Sequence, residues 1–569
     1  MANGQAEETG VAQKKDFFGH PRGLSTLFFT ELWERFSYYG MRALLVLFMT
    51  AETVGHNPGL GFDVRKATAV YGLYTFFVYV LSLPGGWIAD KLWGQRKTVF
   101  VGGCIIAAGH FTMAGPLVGL PNLPSFFGGL ILIVLGTGLL KPNVSSIVGD
   151  LYPEGGARRD AGFSVFYMGI NLGAILGPFL CGIFGEGYNW HWGFSLAGFG
   201  MLLGLISYKL GGKFLGDAGH LKTGESDEVL AKRSRRFWTV LSTIAALIIV
   251  FASLAAAGVF HISLESLAEY LGLAAVIITI IFFGYIIFFG GHNTDEKKKL
   301  GVIFWLFILA ALFWSGFEQA GSSMNLFAKD LTNRVFGPNS WLAGSGAIII
   351  TLVLAIPIGY AVYKVFKKEK LWSLAKWVIG ITSAAILILL YWILTQIGGG
   401  WETPASTLQL INPTFIVIFA PIFGWLWTWL AARNANPSIP VKFALGLFGL
   451  AGGFFVLSWG ASYATKANPV TPAWLVVTYF LHTCGELCLS PVGLSSMTKL
   501  APKGRVSQMM GIWFVAAALG NLFAGLVAGQ LETLAPTSLF WSVAMMIGGG
   551  GVIALLASPG VKKLMGDVE

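Results

Sequence analysis

Apolar stretches of about twenty residues recur along nearly the whole chain, each long enough to cross the hydrocarbon core of a bilayer as a helix. In lipid the backbone must satisfy its own hydrogen bonds, so runs of this length are expected to be helical. The rest of the composition agrees: only 12% of the 569 residues are charged and 55% are hydrophobic, with a mean hydropathy of +0.69. That leaves too little polar material to cover a soluble globule of this size. The expected class is an all-α polytopic membrane protein.

We read spans near 24–50, 67–92, 97–117, 125–148, 161–184 and 190–211, and two more near 237–260 and 265–290 after a polar linker at 216–236. Then come 300–328, a pair near 341–363 and 372–396, and five near 408–432, 441–459, 471–495, 507–530 and 537–557, sixteen in all. The first 23 residues are polar and basic without an apolar core and small-residue cleavage site, so no cleaved signal peptide is expected and the N-terminus is placed in the cytoplasm. With sides alternating from there, Arg35, Arg42 and Lys141 fall within spans and Arg65, Lys66, Lys329, Arg334 and Lys466 lie outside the cell. All other members of the 38 Lys and Arg fall on cytoplasmic tails, loops or helix ends, as the positive-inside rule requires.

Both additional pairs begin and end on one side of the membrane, the first returning at Lys297–Lys299 and the second turning at Lys364–Lys370. Each can be an insertion into a 6 + 6 core. The expected organisation is a tail at 1–23, a six-helix bundle at 24–211, a linker with two extra helices at 212–299, a second six-helix bundle at 300–557 carrying the inserted pair 341–396, and a cytoplasmic tail at 558–569. The inserted pair has no deep acid or base and is expected to be peripheral to the core. After core helix 2 stands "GGWIADKLWGQRK". Gly85 and Gly86 would let helix ends approach, Asp90 would cap or pair at a helix terminus, and Arg96 and Lys97 would hold the turn at the membrane surface. This plan resembles major facilitator transporters, whose halves are parallel repeats with a substrate site between them at mid-membrane.

A charge at mid-bilayer costs roughly 2.5–3.5 kcal/mol, so those inside spans must be paired, hydrated or in use. Core helix 1 carries Glu31, Glu34, Arg35 and Arg42 in "ELWERFSYYGMR", core helix 4 carries Lys141, core helix 7 carries Glu318 and core helix 10 carries Glu486. Helices 1 and 7 occupy equivalent places in the two repeats, as do 4 and 10. Arg42 is therefore set against Glu318 and Lys141 against Glu486, a polarity suited to a zwitterion. Glu31, Arg35 and Arg42 follow one helical stripe, while Glu34 is rotated off it and is expected to reach a neighbouring helix. Tyr38 and Tyr39 place hydroxyls between the arginines, useful for a polar backbone. Pro142, Pro413, Pro421 and Pro491 mark expected helix breaks, and interrupted helices in repeats point to a binding site.

These residues resemble those of the proton-dependent oligopeptide transporter family of the major facilitator superfamily. The helix 1 run is similar to its E-x-x-E-R-F-x-Y-Y-G motif, "FSVFYMGINLGA" resembles its helix 5 F-Y-x-x-I-N motif, and "FEQAGSSMNLFA" and "GELCLSPVGLS" resemble its helix 7 and helix 10 patterns. The resemblance implies import of di- and tripeptides with protons by alternating access. It implies that Arg42 and Lys141 bind the peptide carboxylate, Glu486 the amino terminus, and Asn171 and Asn412 the backbone. It further implies that Tyr38, Tyr39, Tyr79 and Tyr167 line the cavity and that Trp314 and Trp513 shape side-chain pockets. Glu31, Glu34 and Arg35 would couple protons with Lys141, and Glu318 would titrate against Arg42. The chain departs from the family in the pair at 341–396 and at Gly72, where animal members carry a histidine.

Export of drug-like compounds or import of another small anion such as nitrate is the alternative cargo. No HExxH, metal-spaced Cys/His cluster or GK[ST] loop stands in the sequence, so no enzyme, cofactor, metal or ATP-driven mechanism is expected. "LGTGLL" reads as helix packing. Cys104, Cys181, Cys484 and Cys488 all lie in apolar segments and read as free thiols. The net charge of +10 follows the loops and calls for no nucleic acid. The expected unit is a monomer in the cell (inner) membrane with both termini cytoplasmic.

Overall fold

The computed structural model describes residues 15–17, 19–152, 156–221, 225–259, 263–335, 344–368, 399–502 and 505–566, with isolated residues between 380 and 396. The chain divides into two compact units, one of residues 23–332 with 406–569 and one of residues 1–22 with 333–405.

In the larger unit the helices are α1 (Gly23–Thr50), α2 (Val64–Val80), α3 (Ser82–Ile88), α4 (Gln95–Met113), α5 (Asn122–Asp150), α6 (Gly156–Gly185), α7 (Trp190–Gly211), α8 (Asp227–Ala256) and α9 (Leu264–Phe289). They continue as α10 (Thr294–Phe317) and α11 (Ser323–Asp330). In the smaller unit α12 spans Ser345–Lys368, and Lys15–Phe17 pairs with His20–Pro21 as an antiparallel β1–β2 ribbon. The larger unit resumes with α13 (Ile411–Ala431), α14 (Ile439–Tyr463), α15 (Ala473–Leu500), α16 (Val506–Ala528) and α17 (Pro536–Met565).

Eleven helices among the described residues are long and apolar enough to cross a membrane. Helices α1, α4, α8 and α12, each of at least 19 residues, stand outside that set. For α1 the four charges are the reason, because its 28 residues are ample for a span. The expected span at 372–396 falls almost entirely outside the described residues.

Packing rests on small residues, as it must where lipid gives helices no hydrophobic reason to associate. Helix α4 lies on α5 with Gly102 facing Gly136: a Cβ added at either would stand 2.7 or 2.6 Å from the other's carbonyl oxygen. Helices α14 and α15 repeat the device with Gly446 and Gly485. Helix α1 packs on α6 and α7, α14 on α17, and α2 on α16 and α9. At Gly72 the α16 backbone leaves no space for a larger side chain, a Cβ lying 3.1 Å from the Leu522 carbonyl and 3.3 Å from the Gly525 Cα. A histidine here would have to push α2 and α16 apart.

Two expectations about helix breaks are overturned. Pro142, Pro421 and Pro491 sit inside unbroken helices α5, α13 and α15, and Pro413 lies in the first turn of α13, where proline is tolerated. The carbonyl deprived of its helical partner by Pro142 is that of Gly138, and the backbone of Gly85 closes against that oxygen. The true interruption falls in the stretch expected as one span at 300–328. Helix α10 ends at Phe317, a 3-10 turn covers Glu318–Gly321, and α11 starts after Ser322 at φ −126°, ψ −97°.

In the smaller unit the two ends of the inserted segment meet. Val335 and Glu402 form an antiparallel bridge. The Thr403 N–H donates to the Arg334 carbonyl at 3.1 Å, and the Arg334 guanidinium donates to the Thr403 carbonyl at 2.6 Å and pairs with Glu402 at 2.7 Å.

Candidate functional site

The charges of α1 fall into two groups. Arg35 Nε lies 2.8 Å from Glu31 Oε1 and 2.8 Å from Glu34 Oε2, and all three side chains are buried. Glu34 thus turns onto its own helix and not a neighbour, because a carboxylate one residue from a buried guanidinium is attracted to it before anything further away. Its charge still acts on Lys141 of α5. Lys141 makes no ion pair among the described residues; its Nζ stands 3.6 Å from the ring centroid of Tyr79, a cation–π contact. With two acids and two bases, this group is formally neutral.

Further along the same helix, Arg42 meets Glu318 across the unit, with a nitrogen–oxygen distance of 2.9 Å and both side chains buried. The rings of Tyr39 and Tyr38 lie beneath the Arg42 guanidinium at 5.4 and 5.9 Å, and Tyr38 also faces Arg35 at 5.7 Å. The tyrosines therefore cradle the arginines by their faces more than by their hydroxyls. Several buried polar atoms here have no hydrogen-bond partner among the described residues: Glu31 Oε2, Glu34 Oε1 and Arg42 Nε. Buried groups are ordinarily satisfied, so their concentration at one place marks a site and not a packing core.

Glu486 on α15 has no cation beside it among the described residues. Its Oε2 accepts a 3.4 Å hydrogen bond from Asn412 Nδ2, which also donates to Thr483 Oγ1 at 2.9 Å. Asn412 positions the acid as much as it offers a donor of its own. Its charge reaches Tyr39, Tyr167 and Glu318, so it belongs to the same electrostatic neighbourhood. On α6, Tyr167 is 45% exposed, whereas Asn171 is buried and spends a donor on the Tyr167 carbonyl four residues back, at 2.9 Å. Trp513 is wedged against Gly493, beside Phe443 at 6.4 Å. Trp314 packs edge-on to Phe313 and Phe317, with its indole N–H buried and unpartnered among the described residues.

Of the loop residues, Gly85 permits the close approach to Gly138, while Gly86 has open space where a side chain would go. Asp90 is exposed within a π-turn at Ala89–Trp93 and makes no hydrogen bond or ion pair among the described residues, so the expected cap is absent there. Arg96 is the working member. Its Nε donates to the Ala218 carbonyl at 2.7 Å, a second nitrogen to Gly216 at 2.5 Å, and its backbone N–H to Gly219 at 3.0 Å, fastening the segment after α7. Lys97 stands over the Trp93 ring at 5.6 Å.

Sequence reasoning missed four contributors. The buried Tyr71 hydroxyl donates to the Glu318 carbonyl at 3.5 Å, and Gly321 is bare because Tyr71 occupies the place of a side chain. Asn325 donates to the Ala43 carbonyl of α1 at 2.8 Å. Glu186, just beyond α6, accepts 3.0 and 2.9 Å hydrogen bonds from the Ser406 N–H and hydroxyl. A signal for Gly321 and Asn325 was the small polar run that follows Glu318; nothing local marked Tyr71 or Glu186.

Residues 96–394 and 391–541 match the POT family. The chain is 35% identical to the peptide transporter YePEPT of Yersinia enterocolitica, over 99% of this chain and 98% of that protein. It is 34% identical to a di-/tripeptide transporter of Lactococcus lactis, over 98% and 99% of the two chains. A crystal structure of the peptide transporter POT in complex with sulfate superposes with a TM-score of 0.77 at 35% identity, covering 96% of each chain. With its full-length relatives and its buried intramembrane charges, this chain belongs to the POT family of transporters.

Proposed function

We propose that the chain is a proton-coupled symporter that imports di- and tripeptides by alternating access. The observation that carries this reading is the charge pattern of the buried site. Among the described residues Arg42 is held by Glu318, Lys141 has a tyrosine face and distant carboxylates but no ion pair, and Glu486 has no cation beside it. A peptide supplies the missing charges, its carboxylate to Arg42 and Lys141 and its amino terminus to Glu486, through charge-assisted hydrogen bonds. Tyr38, Tyr39, Tyr79 and Tyr167 line the path, Asn171 and Asn412 border it, and Trp314 and Trp513 shape its walls. Glu31, Glu34 and Arg35 exchange protons with Lys141, while protonation of Glu318 frees Arg42 for the carboxylate.

The architecture that goes with this reading is a 6 + 6 core of bundles at 24–211 and 300–557 with two added pairs, sixteen spans in all. It is inserted in the cell (inner) membrane with both termini cytoplasmic and works as a monomer. The test is uptake of a labelled dipeptide into proteoliposomes with and without an inward proton gradient. Accumulation above the external concentration only with the gradient is expected; gradient-independent equilibration alone would overturn symport.

A further inference from the structure

The basic run of α8 stands free of the transport site and has a built setting. Its charges stop at Arg236, and from Phe237 onward the helix is almost wholly apolar, so Arg236 and Phe237 mark the level where the helix enters the membrane. Lys232 and Arg236 are one turn apart with Arg235 beside them, all exposed and none in an ion pair among the described residues. The π-turn after α3 adds the exposed cation Lys91, and the first turn of α4 adds exposed Lys97.

Helix α8 and the π-turn are fastened together. Arg233 Nη1 donates to the Lys91 carbonyl at 3.3 Å and pairs with Glu225 Oε2 at 2.7 Å, while Nη2 donates to Glu225 Oε1 at 2.7 Å. Phe237 lies 6.0 Å from Trp87, and Trp238 lies 6.2 Å from Trp93. Trp87 and Trp238 remain nearly half exposed, as indoles at headgroup depth are. Of the neighbouring acids, Glu225 is taken by Arg233, while Glu228, one turn before Lys232 on the same face, and exposed Asp90 form no ion pair with these cations among the described residues and leave them in excess.

We propose that this patch binds the phosphate headgroups of anionic phospholipid in the leaflet it faces. Five cations from α8, the π-turn and the start of α4, none in an ion pair among the described residues, stand over an aromatic collar and match a negatively charged headgroup surface. A general positive-inside bias would orient the chain equally well with these charges scattered. A bound headgroup touches α8 and the loop at once and so stiffens the segment that joins α2 to α4, giving the lipid a hold on the moving core.

The test uses the full-length protein and its Lys232→Gln/Arg235→Gln/Arg236→Gln variant, with thermal unfolding in detergent to confirm that both fold. Phosphatidylglycerol retention is measured by native mass spectrometry against phosphatidylcholine. Peptide counterflow is compared in phosphatidylcholine vesicles with and without phosphatidylglycerol. The wild-type chain is expected to retain phosphatidylglycerol selectively, and the variant to bind it more weakly by about fivefold for each charge removed. Counterflow should respond to phosphatidylglycerol in the wild type and not in the variant. Equal retention by both proteins would overturn the proposal, as would displacement of the lipid by inorganic phosphate, which would make this a site for free anions.

Discussion

Glu318 and Arg42 form a buried ion pair, the one on which the proposed coupling turns. Removing one partner from a buried pair commonly costs about 3–5 kcal/mol, because the other charge is left uncompensated. Glu318→Gln keeps the shape and a hydrogen-bonding group while fixing the site in the state a protonated acid would give. Gradient-driven uptake should be lost, and peptide counterflow, which needs no net proton movement, should persist. Accumulation by this variant under a proton gradient would move the coupling role to Glu31 and Glu34. At Glu486 the prediction is about the ligand: Glu486→Gln should weaken competition by peptides with a free amino terminus by roughly tenfold or more, from loss of a charge-assisted bond of about 1.5–3 kcal/mol. Equal losses for amino-blocked peptides would rule out that assignment. The opposition of Arg42 and Glu318 was legible in the sequence, because the cost of burying each charge demands a partner and repeat position supplied one. The Glu34–Arg35 contact was not, since helical rotation separates neighbouring residues while long side chains can bend back.

Among the elements, the break between α10 and α11 places Glu318 where Arg42 can reach it. Prolines drew attention elsewhere, yet Pro142, Pro421 and Pro491 are absorbed within continuous helices, since a missing N–H leaves only one carbonyl to be met by a neighbour. The working interruption is written in Gly321 and the serines after it, a signal that depends on Tyr71 arriving from α2 and so cannot be read locally. Gly321→Ala would drive a methyl group into the Tyr71 ring. It should lower transport at least tenfold and reduce the unfolding temperature, as overpacking typically costs about 1–3 kcal/mol. Tyr71→Phe removes the nearest clashing atom, so the double variant should recover part of both losses. Strict additivity in that double-mutant cycle would show that the two side chains are not coupled.

For the whole molecule, the lengths of the apolar runs carried the all-helical, membrane-spanning class, because a bilayer imposes it. The role of the segment at 341–396 was less legible, since apolar composition says that it is helical without saying what it serves. Its neck supplies the missing argument. Val335 and Glu402 are already paired, and Arg334 ties its own strand to Thr403 and Glu402, so the chain enters and leaves the insertion at one point. Replacing residues 336–401 with Asn-Gly would close that bridge as a two-residue hairpin, using residues suited to the tight turn. The shortened protein should fold and take up dipeptide at a rate within about twofold of the full chain, since surface loops and terminally closed insertions are thermodynamically cheap to shorten. Size-exclusion profile and thermal unfolding report folding separately from uptake. A well-folded shortened protein without transport, matched by loss of transport in point variants along 344–368, would show that the inserted segment takes part in the cycle.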